Sequence, residues 1–98
     1  MILVTGSAAV KPEHIEQAVA LSLEHVRRSR TEPGCISHAV HRDVEDANRL
    51  VFVEQWADGA ALKTHFMVPE SRAFVGALGA LCSARPELAV YEAQLLKL

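Results

Sequence analysis

The sequence predicts an α+β fold with the ferredoxin-like order β-α-β-β-α-α-β, and three observations carry that prediction. An apolar stripe at helical spacing runs from Pro12 to Arg30, two β-prone runs flank the polar loop Asp43 to Asn48, and a second helical stretch opens at Pro69. Strands in this order form a four-stranded antiparallel sheet with the helices on one face.

Residues 2 to 10 are β-prone or small and stop before Lys11-Pro12, where proline suits a first helical turn. From Pro12 to Arg30, Ile15, Ala18, Val19, Ser22, Leu23 and Val26 form one stripe. Glu13 and Glu16 sit early in this helix and Arg27, Arg28 and Arg30 late, as the helix dipole favours. Thr31-Glu32-Pro33-Gly34 ends it, because the residue before proline avoids helical geometry and glycine accepts turn dihedrals. Cys35 to Arg42 and Arg49 to Trp56 read as a hairpin across Asp43-Val44-Glu45-Asp46-Ala47-Asn48. Asp58 is placed to cap a short helix running through Phe66. After Pro69, Phe74, Leu78, Leu81 and Cys82 share a stripe, and Gly76 and Gly79 each cost the helix about 1 kcal/mol, which predicts close packing against a neighbour there. Arg85-Pro86 stops this helix, and Leu88 to Leu98 is the last strand.

Ile2-Leu3-Val4 and Leu50-Val51-Phe52-Val53 are apolar at consecutive positions, so both faces of the sheet are expected to be buried. Helices cover only one face. A second copy packed sheet to sheet about a two-fold axis would cover the other, giving a homodimer closed as an α+β barrel. With 98 residues, half of them hydrophobic, and a net charge of -2, residues 1–98 are expected to form one domain. Ten Lys and Arg scattered among twelve acids make no basic face, so no nucleic-acid partner is expected. MILVTGSAAV lacks a preceding basic region and is too short for a membrane span, and Cys35 and Cys82 lack CxxC spacing. These features predict a cytoplasmic protein with reduced thiols and no membrane partner.

Chemistry is expected around the third strand. Leu50, Phe52, Glu54 and Trp56 share one strand face, and a carboxylate among apolar rings must be paired, hydrogen-bonded or protonated. Glu54 therefore reads either as a structural hydrogen-bond partner or as a pocket acid or base. Trp56 reads either as core or as pocket wall. His65, on the short helix beside Phe66, is either a base or a histidine bonding the carbonyls that end its helix. His38 and His41 point to opposite sides of their strand, and His14 and His25 are separated by roughly 16 Å of helical rise. No chelating group is expected, hence no metal. No phosphate loop, nucleophile elbow or dinucleotide fold is present, hence no cofactor.

Glu32-Pro33-Gly34-Cys35, the Asp43 to Asn48 loop, Glu54-x-Trp56, Ala61-Leu62-x-x-His65 and Pro69-x-x-x-x-Phe74 follow one another over about half the chain in a recognisable spacing. In these residues the sequence resembles the antibiotic biosynthesis monooxygenase family. The resemblance implies a dimeric α+β barrel, a Trp56 that faces the substrate cavity, and cofactor-independent oxidation of a quinol, anthrone or similar small aromatic substrate. On that expectation His65 is the base, Glu54 and His38 are polar partners, and Trp56, Phe52 and Phe66 pack on the rings. His38 stands where many family sequences carry tyrosine. Heme-degrading relatives use a strand-one Asn, a Trp at the position of His65 and a His ten residues later. Here strand one has no Asn and the later position is Val75, which disfavours heme degradation. Two alternatives remain open: a non-catalytic dimeric ligand-binding protein, and a sugar-phosphate isomerase of the same fold drawing on Arg42, Arg49 or Arg72.

Overall fold

In the computed structural model, which describes residues 1–98, the strands are β1 (Ile2–Ala9), β2 (Cys35–Arg42), β3 (Arg49–Trp56) and β4 (Glu87–Glu92). They lie in the order β2-β3-β1-β4, and every pairing is antiparallel. A 3-10 turn at Pro12–His14 leads into α1 (Ile15–Ser29), and α2 (Gly59–Met67) and α3 (Pro69–Leu81) follow β3. No helix is long and apolar enough to cross a membrane.

Local chemistry sets the helix boundaries. Pro12 and Pro69 stand in the first turns of their helices, where a missing N–H costs nothing, and Asp58 Oδ1 accepts the Ala61 N–H at 2.8 Å to start α2. Gly34, at φ 83°, reverses the chain into β2; no other residue has this backbone sign.

Alternate β3 residues Leu50, Phe52, Glu54 and Trp56 are all buried under the helices, while Arg49, Val51, Val53 and Gln55 face the other way and are half-buried. The main core joins Leu50 and Phe52 to Ala18 and Val26 of α1 and to Phe74, Leu78 and Leu81 of α3. Each of its large side chains contributes about 1.5–3 kcal/mol by leaving water. A smaller cluster of Val4, Trp56 and Leu62 anchors α2.

Three sequence expectations are corrected. Gly76 and Gly79 have open space where a side chain would go, so no neighbour packs against them. Cys82 lies one residue past α3, in extended geometry. The last strand ends at Glu92 instead of Leu98, because Ile2, the first residue of β1, pairs with Glu92 and leaves nothing for residues 94–98 to join. Both cysteines are free thiols, with pKa values raised by burial.

Candidate active site

Between the sheet and the helices lies a cavity of about 550 Å³, within the range of roughly 300–1,000 Å³ usual for small-ligand sites. Its deep walls include His25 of α1, His38 of β2, Phe52 and Glu54 of β3, His65 of α2 and Phe74 of α3. Arg72, Arg85 and Glu87 stand along its lining towards the start of β4.

His65 is 3% exposed, and its Nδ1 lies 2.7 Å from Glu32 Oε1. Glu32 follows α1 in the Thr31–Gly34 turn, where its N–H donates to the Ser29 carbonyl at 3.0 Å. An ionised carboxylate only accepts hydrogen bonds, so Nδ1 carries the proton and donates it, leaving Nε2 as the nitrogen able to take up another. Arg28 Nε, 4.0 Å from Glu32 Oε2, places a permanent positive charge behind this carboxylate.

His25 occupies the buried stripe of α1, with its ring stacked on Phe74 at 3.9 Å and 6°. Burial holds its pKa down to about 3, and the nearby charges of His38, Arg28 and His65 act in the same direction. The ring is therefore neutral at pH 7. Arg28 Nη2, which can only donate, lies 2.8 Å from His25 Nδ1 and 2.9 Å from Ser71 Oγ. His25 Nδ1 must accept, so its single proton is on Nε2.

Glu54 is 5% exposed and accepts the Trp56 indole N–H at 2.9 Å. Across the hairpin it pairs in register with His38, whose Nε2 stands 3.1 Å from Glu54 Oε1 without forming an aligned hydrogen bond. Burial pushes the Glu54 carboxyl up, but the contacts with His38 and the indole outweigh it, and the pKa settles below the usual carboxylate value. Glu54 is thus a charged, occupied acceptor. Its geometry supports the structural side of the sequence reading.

The fold brings together His38, Glu54, Phe52, Phe66 and His65 of the residues singled out from sequence. Trp56 is the exception. It is fully buried in the cluster with Val4 and Leu62, donates its N–H to Glu54, and does not line the cavity. The expectation that no histidines converge is also corrected. One ring nitrogen from each of His25, His38 and His65 lies within 4.8 Å of the others. That set fits a metal poorly as it stands. Ligands about 2.0–2.1 Å from a tetrahedral ion are roughly 3.3 Å apart, and the Arg28 guanidinium both blocks His25 Nδ1 and repels a second cation.

Sequence reasoning missed His25, Arg28 and Glu32. A signal for the first was available: the α1 stripe that carries Ser22 and Val26 also carries His25 and Ser29, and a polar residue there needs a partner. Arg28 looks like an ordinary charge at a helix end, and Glu32, although it opens the Glu32-Pro33-Gly34-Cys35 signature, carries no chemical role there that the sequence discloses.

Residues 1–77 match the family model described as antibiotic biosynthesis monooxygenase. An uncharacterized protein of Synechocystis sp. is 37% identical over 91 residues, covering 93% of this chain and 62% of its own length, so the chain spans less than two thirds of that relative. The provisionally named monooxygenase YcnE of Bacillus subtilis is 32% identical over 84 residues, covering 86% of this chain and 88% of its own. A crystal structure described as an antibiotic biosynthesis monooxygenase superposes with a TM-score of 0.90 at 28% identity, covering 97% of this chain and all of that one.

Proposed function

The chain belongs to the antibiotic biosynthesis monooxygenase family, and from that premise we propose that it is a cofactor-independent monooxygenase oxidising a quinol, anthrone or similar electron-rich aromatic with dioxygen. The observation that carries this reading is the Glu32–His65 pair on the wall of a ring-sized cavity. A carboxylate at Nδ1 fixes the tautomer, so His65 Nε2 is the proton acceptor. Phe52, Phe66 and Phe74 supply flat apolar surface for the aromatic rings.

The reaction balances without a cofactor. For an anthrone, His65 removes a proton, and the resulting anion gives its electrons to dioxygen. The ring CH2 becomes C=O with one oxygen atom, and the other leaves as water together with the two hydrogens. Glu54 and His38 act as polar partners that keep one end of the cavity charged and ordered. Trp56 supports them from behind.

The working form is a homodimer. Leu3, Val51 and Val53 on the outer sheet face are only half-covered within one chain, and Tyr91 beside them is 52% exposed. A second copy packed on that face completes the barrel.

Oxygen uptake with a panel of hydroquinones and anthrones tests the assignment in wild type and in His65→Ala. Uptake in the wild type that falls in the variant is expected. No uptake by the wild type across the panel would remove the monooxygenase reading, and unchanged uptake in the variant would clear His65 as the base.

A further inference from the structure

Neither the oxidation itself nor the His65 base explains why a second histidine is buried beside the first with one ring nitrogen locked from behind. We propose that the His25 Nε2–H donates a hydrogen bond to the substrate oxygen that His65 deprotonates, and that Arg28 is the positioning residue that keeps His25 in this donor tautomer. The proposal rests on the monooxygenase reading for its substrate, but not for its geometry.

Two nitrogens of opposite character face one cavity. His65 is an acceptor because Glu32 holds its Nδ1 proton, and His25 is a donor because Arg28 occupies its Nδ1 lone pair. Arg28 is itself fixed by Ser71 Oγ at 2.9 Å, and the His25 ring plane is fixed by its stack on Phe74. One ring nitrogen of His25 lies within 4.8 Å of one of His65, and an oxygen about 2.9 Å from each of two nitrogens at that limit subtends about 110°, the angle at which a hydroxyl accepts one hydrogen bond and donates another. A single ring hydroxyl can therefore bridge the two histidines, giving its proton to His65 while its oxygen receives the His25 N–H.

This arrangement narrows the substrate class. It selects a phenol, a hydroquinone, or an anthrone reacting as its enol, over a substrate whose only acidic proton is on carbon. As the oxygen becomes anionic, the hydrogen bond from His25 becomes charge-assisted and stabilises the anion that reduces dioxygen. The groups facing His25 are Arg28 on its own helix, His38 of β2, Glu54 of β3, His65 of α2 and Ser71 of α3. None of the others offers a proton already pinned towards the cavity.

Binding of 4-nitrophenol, a coloured phenol that needs no oxygen chemistry, reads the donor directly. In a buffer below the phenol's own pKa, wild type is expected to bind it as the yellow phenolate. His25→Phe keeps a flat ring on Phe74 but loses the donor, and Arg28→Met frees the tautomer; each should lower the bound phenolate fraction by about tenfold. His25→Gln, which retains an N–H, should recover part of it. Nitrogen-15 NMR of unmodified protein supplies a test that needs no variant, with His25 expected to be protonated at Nε2 and bare at Nδ1. A proton found on Nδ1, or a phenolate fraction unchanged in both His25→Phe and Arg28→Met, overturns the proposal. So does stoichiometric Zn(II) binding that moves the His25 resonances, because it would make the cluster a metal site. Phenolate binding without oxygen uptake would sink the monooxygenase reading and leave the donor assignment standing. Uptake with a phenolate signal indifferent to both substitutions would do the reverse.

Discussion

In the proposed reaction the base depends on one hydrogen bond of 2.7 Å between Glu32 and His65, and the two ends of that bond should fail differently. Loss of the base in His65→Ala is expected to lower kcat by about 10²–10⁴-fold. Glu32→Gln retains the imidazole but removes the carboxylate that accepts its Nδ1 proton, so its kcat should fall by less than that of His65→Ala. Activity unchanged in Glu32→Gln would detach Glu32 from the base. His25 contributes a stability prediction with a definite sign. Its unfolded ring takes up a proton below the ordinary value of 6.5, whereas the folded ring resists until about 3. The stabilisation is full above 6.5 and is lost progressively as the pH falls towards 3. Urea midpoints measured across that window should drop more steeply for wild type than for His25→Phe; parallel curves would contradict a buried neutral imidazole. At this scale the sequence disclosed Glu54 as a carboxylate among apolar rings, His65 as an imidazole beside Phe66, and His38 through the family resemblance. Arg28 and Glu32 were hidden because their roles arise only when the end of α1 meets α2, 33 residues on from Glu32.

Elements were more legible than residues. The limits of β2 and β3 are readable to the residue, since two β-prone runs meet one polar loop, and prolines and Asp58 announce the helix starts. What failed lay in pairing, which local sequence does not encode: the reach of β4 depends on where β1 begins, and the freedom of Gly76 and Gly79 depends on α3 turning that side outward. Gly34 shows the opposite case, a glycine whose role is forced. A Cβ there would strike Ala61 Cβ at the start of α2, on a backbone already in the left-handed region. Gly34→Ala is therefore expected to destabilise the fold by about 2–3 kcal/mol in chemical denaturation and to lower activity as well, because α2 carries His65. Asp58→Ala, which removes only the cap of α2, should cost about 1 kcal/mol. If Gly34→Ala proved the milder of the two, the close approach of α2 to that turn would be refuted.

For the whole molecule, the exposed sheet face sets the expectation. A stable pair needs roughly 800 Å² covered on each partner, and a four-stranded face bearing Leu3, Val51, Val53 and Tyr91 is the surface suited to provide it. Light scattering at micromolar concentration should give twice the 10.7 kDa chain mass, and Val53→Glu, at the centre of that face, should give a monomer of lower thermal stability. A monomeric wild type would refute the barrel. The order of elements predicted this face from sequence, but no single chain can display what covers it. Inside, Glu54 and the three histidines gather in one part of the cavity, Arg72, Arg85 and Glu87 stand along its lining towards β4, and Phe52, Phe66 and Phe74 supply its flat apolar surface. On the proposed reading, a flat guest rests its faces on the phenylalanines and meets polar groups at both edges. A bare polycyclic hydrocarbon should then bind less well than its hydroxylated analogue, because desolvated side chains at either edge would be left without a partner.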